Sequence, residues 1–119
     1  MGYMKHEALV MTTWRVSWVE RREDRRYIFD AFRDAMPDEF RGLLVGPIDA
    51  PMNGYVSWAF LPDGSKRGWD HSEKAHDLRV ALAKLCDEEG IDWSWVYFGG
   101  DDEDKRHVTR DDGWEEIGA

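Results

Sequence analysis

The sequence predicts an α+β domain of the ferredoxin-like β-α-β-β-α-β order, a four-stranded antiparallel sheet with two helices on one face. Two observations predict it. Residues 10–19, 42–48, 55–61 and 91–98 are rich in β-branched and aromatic side chains, the composition of pleated strands. Residues 22–36 and 70–89 instead repeat apolar residues at helical spacing, and in chain order the six segments form the split βαβ pattern. A chain of 119 residues fits one domain, since single cores usually hold roughly 100–150 residues.

Residues 1–9 are expected to be a disordered leader, with Met11 a candidate start, because Met11, Thr12, Thr13 and Trp14 open directly into the first strand. In that strand Trp14, Val16 and Trp18 share one face by the period of two, and Arg15, Ser17 and Val19 the other. The first helix carries Tyr27, Ile28, Ala31, Phe32, Ala35 and Met36 as its apolar stripe, and Pro37 ends it. The second strand is short and contains Pro47, which favours a sheet edge. In the third, Val56, Trp58 and Phe60 alternate with Tyr55, Ser57 and Ala59. Pro62, Asp63 and Gly64 form a turn, because Pro presets φ and Gly accepts a positive one.

The second helix lines up Ala75, Leu78, Leu82, Leu85 and Cys86 and stops at Gly90. The fourth strand alternates Trp93, Trp95 and Tyr97 with Ser94, Val96 and Phe98, so both of its faces are apolar. The favoured core face is Trp14, Val16, Trp18, Val56, Trp58, Phe60, Val96 and Phe98. The open face then shows Arg15, Tyr55, Trp93, Trp95 and Tyr97, more aromatic surface than one helical layer covers; such patches mark partner or self-association sites, and the alternative is that the tail folds back over it through Trp114. The opposite register of the fourth strand stays open. The domain proper is residues 10–100, and 101–119 is an acidic loop or tail with Trp114 and Ile117 as its one anchor.

Charge narrows the function. Residues 1–86 carry 13 Lys/Arg and 13 Asp/Glu, while residues 87–119 carry 3 and 12, so the whole net charge of −9 lies in the last stretch. That field repels nucleic acid and anionic lipid and attracts basic protein surfaces. No segment approaches the ~18 apolar residues of a membrane span. The single cysteine excludes an internal disulfide and a cysteine-built metal site. With no apolar signal segment, the expected compartment is the cytoplasm.

Four motifs bear on chemistry. Residues 53–60 match an RNA-recognition strand at Gly54, Tyr55 and Phe60, but Asn53 and Ser57 stand where a basic residue and a stacking aromatic belong. Asp70, Glu73 and His76 fall along one helix face and with His107 could share a divalent metal. The plainer reading of Asp70 and Glu73 is an N-cap and its capping-box partner. Asp101, Asp102, Glu103 and Asp104 lack the spacing of a calcium loop. Cys86 beside the apolar stripe reads as a small buried hydrophobe.

The stretch from Leu61 through Asp63-Gly64-Ser65-Lys66 and Gly68-Trp69 to Glu73, continuing into the second helix and the Trp-rich strand, resembles small uncharacterised proteins of actinobacterial phages over roughly residues 54–100. The resemblance implies a small phage product acting in the host cytoplasm, where many such proteins bind and disable host factors. The resulting expectation is an acidic protein-binding module, a homodimer, that meets a host protein with a basic surface through Arg15, Tyr55, Trp93, Trp95 and Tyr97. It would act as a charge mimic of nucleic acid or as a defence inhibitor. No catalytic residue and no cofactor is expected. The alternative is a metal-dependent hydrolase or nuclease built on Asp70, Glu73, His76 and His107.

Overall fold

The computed structural model describes residues 5–14, 26–65, 69–99 and 106–110. The elements run β1 (Lys5–Trp14), α1 (Arg26–Ala35), α2 (Asp38–Arg41), β2 (Leu44–Asp49), β3 (Tyr55–Phe60), α3 (Asp70–Glu89), β4 (Asp92–Gly99) and β5 (Arg106–Arg110). The strands form one antiparallel sheet in the order β2-β3-β1-β4-β5. The protein is therefore α+β, and β1 and β3 stand inside the sheet as the sequence led us to expect.

Two expected boundaries are corrected. Residues 5–9 belong to β1 rather than to a leader, because Lys5 to Thr12 pair along β4 and Leu9 is fully buried. Residues 106–110 are a fifth strand rather than part of a tail, with Val108 opposite Val96. A third helix, the single turn α2, was also unforeseen; it exists to bury Phe40. The expected second half of the first strand, including Arg15, Val16 and Trp18, lies outside the described residues, as do the start of the first helix and residues 101–105 and 111–119.

The core face is set by pairing. Leu9 sits opposite Phe60 and Trp95, and Met11 opposite Trp58 and Trp93. All six are buried under the helices with Val56. The expected inward set of β1 and β4 is thus reversed: Trp14 is 43% exposed and Phe98 38%, while Trp95 is 0%. Because side chains alternate with a period of two, one step of register exchanges the faces. Only β3, with Val56, Trp58 and Phe60 inward, faces as expected.

On the helix side, Phe29 of α1 stacks on Trp58 with ring centroids 3.8 Å apart. Ile28, Phe29 and Met36 are buried while Tyr27 is exposed, so the stripe is rotated from the expected one. In α3, Ala75, Leu82 and Cys86 are buried as expected, joined by Ala83 and Arg79. Gly90 ends α3 in the left-handed region at φ 69, where its N–H meets the carbonyls of Cys86 and Asp87. At the other end the N-cap is Trp69 with no side-chain cap bond, so Asp70 and Glu73 lie in the first turn rather than forming a capping box. Both still favour the helix dipole there.

The edge strand β2 is bulged between Val45 and Ile48 and carries Pro47. The Leu61 N–H bonds the Leu43 carbonyl, so the next pair, Leu44 and Phe60, is not hydrogen-bonded and the Leu44 carbonyl points away from β3. Arg33 of α1 fills that position, donating Nε and Nη2 to Leu44 O at 3.0 and 2.7 Å and Nη2 to Gly46 O at 2.9 Å. This edge is therefore closed to an added strand. Among the described residues no helix is long and apolar enough to cross a membrane.

Candidate functional site

Two features stand out: a buried ion cluster on the helix side and the sheet face on which no described helix packs. The cluster forms because the turn after β3 points Asp63 inward beneath α3. Arg79, only 2% exposed, donates Nη2 to Asp63 Oδ1 at 2.8 Å. Its Nη1 lies 3.8 Å from Glu7 Oε2, and its guanidinium lies 5.8 Å from the centre of the Phe60 ring. Glu7 in turn accepts from Trp95 Nε1 at 3.0 Å. The second buried tryptophan of β4, Trp93, donates to Asp87 at 2.8 Å. Both indole N–H groups are thus satisfied, which lets two tryptophans enter the core.

Asp63 Oδ2 also accepts from the Ser65 hydroxyl and lies 3.0 Å from His71 Nδ1. His71 Nε2 is 3.9 Å from Glu39 Oε1, and its ring lies over Phe40 at 4.6 Å. Burial pushes the Asp63 carboxyl up, but the hydrogen bonds from Ser65 and His71 and the charge of Arg79 outweigh it and hold the carboxyl below its ordinary value. Serine, aspartate and histidine meet here, but in the wrong order for nucleophilic catalysis. A catalytic histidine stands between serine and aspartate; here aspartate stands between the other two, so His71 cannot take the Ser65 proton. The cluster ties β1, α2, the Asp63 turn and α3 together.

The other face carries His6, Ala8, Val10, Thr12 and Trp14 of β1, Tyr55, Ser57 and Ala59 of β3, and Asp92, Ser94, Val96 and Phe98 of β4, by alternation from the core positions; Ala8 among them is itself buried, and the exposed Asp92 stands opposite Thr12. Val10 at its centre is 46% exposed. Trp14 contacts Tyr55 with ring centroids 5.8 Å apart, and His6 contacts Phe98 at 5.4 Å. Ile48 on β2, opposite Ser57, extends the apolar surface. Between these groups the hydroxyls of Thr12 and Ser57 pair at 2.8 Å.

No protein-family model, curated protein or solved structure matches this chain.

Of the expected contact residues, Tyr55 lies on the open face, half-buried. Trp93 and Trp95 are buried on the helix side and Tyr97 packs against the same core, because β4 takes the opposite register. They cannot centre an interface. Arg15 is outside the described residues. The residues missed were Val10, Trp14 and Phe98; the pattern of β1 gave no signal for their outward direction, because the inward set also contains Lys5 and Glu7.

The expected metal residues do not come together. Among the described residues no three His, Cys, Asp or Glu side chains are arranged to hold a metal ion. His76 turns its ring to Trp95 at 5.5 Å, and Glu73 and Asp70 are exposed. The side chain of His107 is not among those described. Cys86 is buried as expected, and burial together with the neighbouring Asp87 pushes its thiol up to about 12, which leaves no reactive thiolate. At the strand position where RNA recognition needs a stacking aromatic, Ser57 pairs with Thr12 instead.

Proposed function

We propose that the protein is a binding module that docks another protein through the open sheet face, and that it is a phage product directed at a basic surface of a host factor in the host cytoplasm. One observation carries the reading. Val10, Trp14, Phe98 and Ile48 are exposed together on a face whose central hydroxyls, Thr12 and Ser57, share a hydrogen bond. Covering that face removes apolar area from water, which favours association, and keeps the bond that Thr12 and Ser57 make to each other. The closed β2 edge argues against strand addition on that side of the sheet.

Charge supplies the partner's chemistry. The excess of carboxylates in residues 87–119 steers basic surfaces toward the protein, including surfaces that otherwise meet nucleic acid. The phage context rests on the resemblance of residues 54–100. We also propose that the sheet is the ferredoxin-like plan with one strand added beyond β4. The order β4-β1-β3-β2 within the sheet and the β-α-β-β-α-β succession of its longer elements support that.

The test is capture from bacterial host lysate by the wild type and by Trp14→Glu, with captured proteins identified and then purified for direct binding. The reading expects a basic protein held by the wild type, lost with Trp14→Glu, and released as salt rises. Equal capture by the two chains, or binding that salt leaves unchanged, overturns it.

A further inference from the structure

We infer that residues 111–119 of this chain cover the centre of the open face through Trp114, so that a protein partner enters by displacing them. This rests on the reading of that face as a docking surface.

The register shows where the segment starts. Arg110 of β5 stands opposite Ser94, Ser94 opposite Val10, and Val10 opposite Ala59. Arg110 therefore ends β5 in the row that crosses the middle of the face. Were β5 to run on in the same register, Asp112 would stand opposite Asp92, and like charges directly opposite destabilise a sheet. That pair favours a chain that leaves β4 at this row.

Length and composition fit a crossing from there. Val10 lies two strands from Arg110, about 10 Å at ordinary strand spacing. Trp114 follows four residues after Arg110, and four extended residues reach about 13 Å. Ile117, three residues further on, has the reach to pass over β3. The core side of the same strands is already filled: Trp93 and Trp95 are buried beneath the helices, whereas Val10 is exposed.

Charge favours the same placement. Residues 111–119 hold Asp111, Asp112, Glu115 and Glu116 and no Lys or Arg. By register, Arg106 and Arg110 take open-face positions of β5, opposite Phe98 and Ser94. Asp92, opposite Thr12, lies on the other side of the Arg110 row from Arg106. Carboxylates are thus drawn across that row and kept from running on beside Asp92. Trp14, and Phe98 opposite His6, stand two open-face positions to either side of the Val10 row. Both ends stay open to a partner, whose basic groups compete with the two arginines for the same carboxylates.

Hydroxyl-radical footprinting of the full chain at low concentration tests this, with the exposed Trp69 as reference and circular dichroism as the control for folding. The inference expects Trp114 to react about tenfold more slowly than Trp69, the factor for a segment seated roughly nine-tenths of the time. It expects that protection to be independent of chain concentration and to be lost in Val10→Glu, which sets a carboxylate beneath an acidic segment. Arg110→Glu serves as a second variant should Val10→Glu not fold. Trp114→Ala keeps the charge, and should bind the purified basic partner about tenfold more tightly than the wild type does. Trp114 as reactive as Trp69 in the wild type overturns the inference. Protection that grows with chain concentration overturns it by giving the contact to a second copy, and protection that survives both variants overturns it by moving Trp114 off this face. Equal affinity of Trp114→Ala and the wild type overturns the displacement. Failure of the docking reading shows instead as equal lysate capture by the wild type and Trp14→Glu, with the reactivity of Trp114 still deciding whether the segment covers the face.

Discussion

Arg79 of α3 donates to Asp63 across 2.8 Å, joining the middle of a helix to a turn 16 residues earlier. Both side chains are buried, at 2% and 7% exposure. A cation in that position is tolerable only with its partners present, because removing one leaves an uncompensated buried charge. Arg79 Nε already lacks a hydrogen-bond partner among the described residues, so the guanidinium depends on Asp63 and Glu7.

Asp63→Ala should therefore destabilise by roughly 3–5 kcal/mol. Arg79→Met should also destabilise, by leaving two carboxylates beneath α3. The double variant should lose less than the sum, with a coupling of about 1–3 kcal/mol. Denaturant unfolding of the four proteins measures this, and additive losses would mean that the pair is not a unit.

The same aspartate predicts a pH dependence. Its folded pKa is lowered from an ordinary value of 3.8, so its contribution is fully present above that value and is lost as pH falls through the folded pKa. The gap in melting temperature between wild type and Asp63→Asn should be constant from neutral pH to about 5 and shrink below about 4. A gap that widens in acid would contradict the sign.

Gly46 is required by its backbone and its neighbour. Its φ is +127, and an added Cβ would lie 2.7 Å from Trp58 Cδ1 and 2.8 Å from the Ser57 carbonyl. Gly46→Ala should cost about 1–3 kcal/mol in backbone strain alone, and more through the displaced tryptophan. Gly42, at φ −67 with nothing within 4 Å, is the control. Gly42→Ala should be neutral or slightly stabilising, and equal melting temperatures for the two variants would remove the explanation.

Trp95 and Trp14 should part company when charged. Trp95 is fully buried, with its N–H on Glu7, so Trp95→Glu should unfold the protein. Trp14→Glu should leave the circular dichroism spectrum and melting temperature close to the wild type. A folded Trp95→Glu protein would return β4 to the opposite register.

How much of this was legible follows from the same residues. Four of the five strands, the two longer helices and the central place of β1 and β3 followed from apolar spacing and from Pro37, Gly64 and Gly90. The faces did not. Trp93 and Trp95 alternate with Val96 and Phe98, so composition cannot choose between them, and the choice is made by the distant Leu9 and Met11. Starting the first strand at Val10 left out Leu9, and with it Glu7, whose carboxylate lies on the core side beside Arg79 and Trp95. Arg79 itself falls with Ala75, Leu82, Ala83 and Cys86 on the buried stripe. A cation there announces a buried carboxylate, but only the fold identifies it as Asp63.

Hydroxyl-radical footprinting of the full chain, alone and with the captured basic protein, tests most directly where the protein makes contact. The aromatic residues of the two sides act as internal reporters: Trp14 and Phe98 are exposed on the open face, Tyr27 on α1 and Trp69 beside α3. Association through the sheet face protects Trp14 and Phe98 and leaves Tyr27 and Trp69 as reactive as before. Protection of Tyr27 and Trp69 with Trp14 and Phe98 unchanged would put the contact on the helices and contradict it.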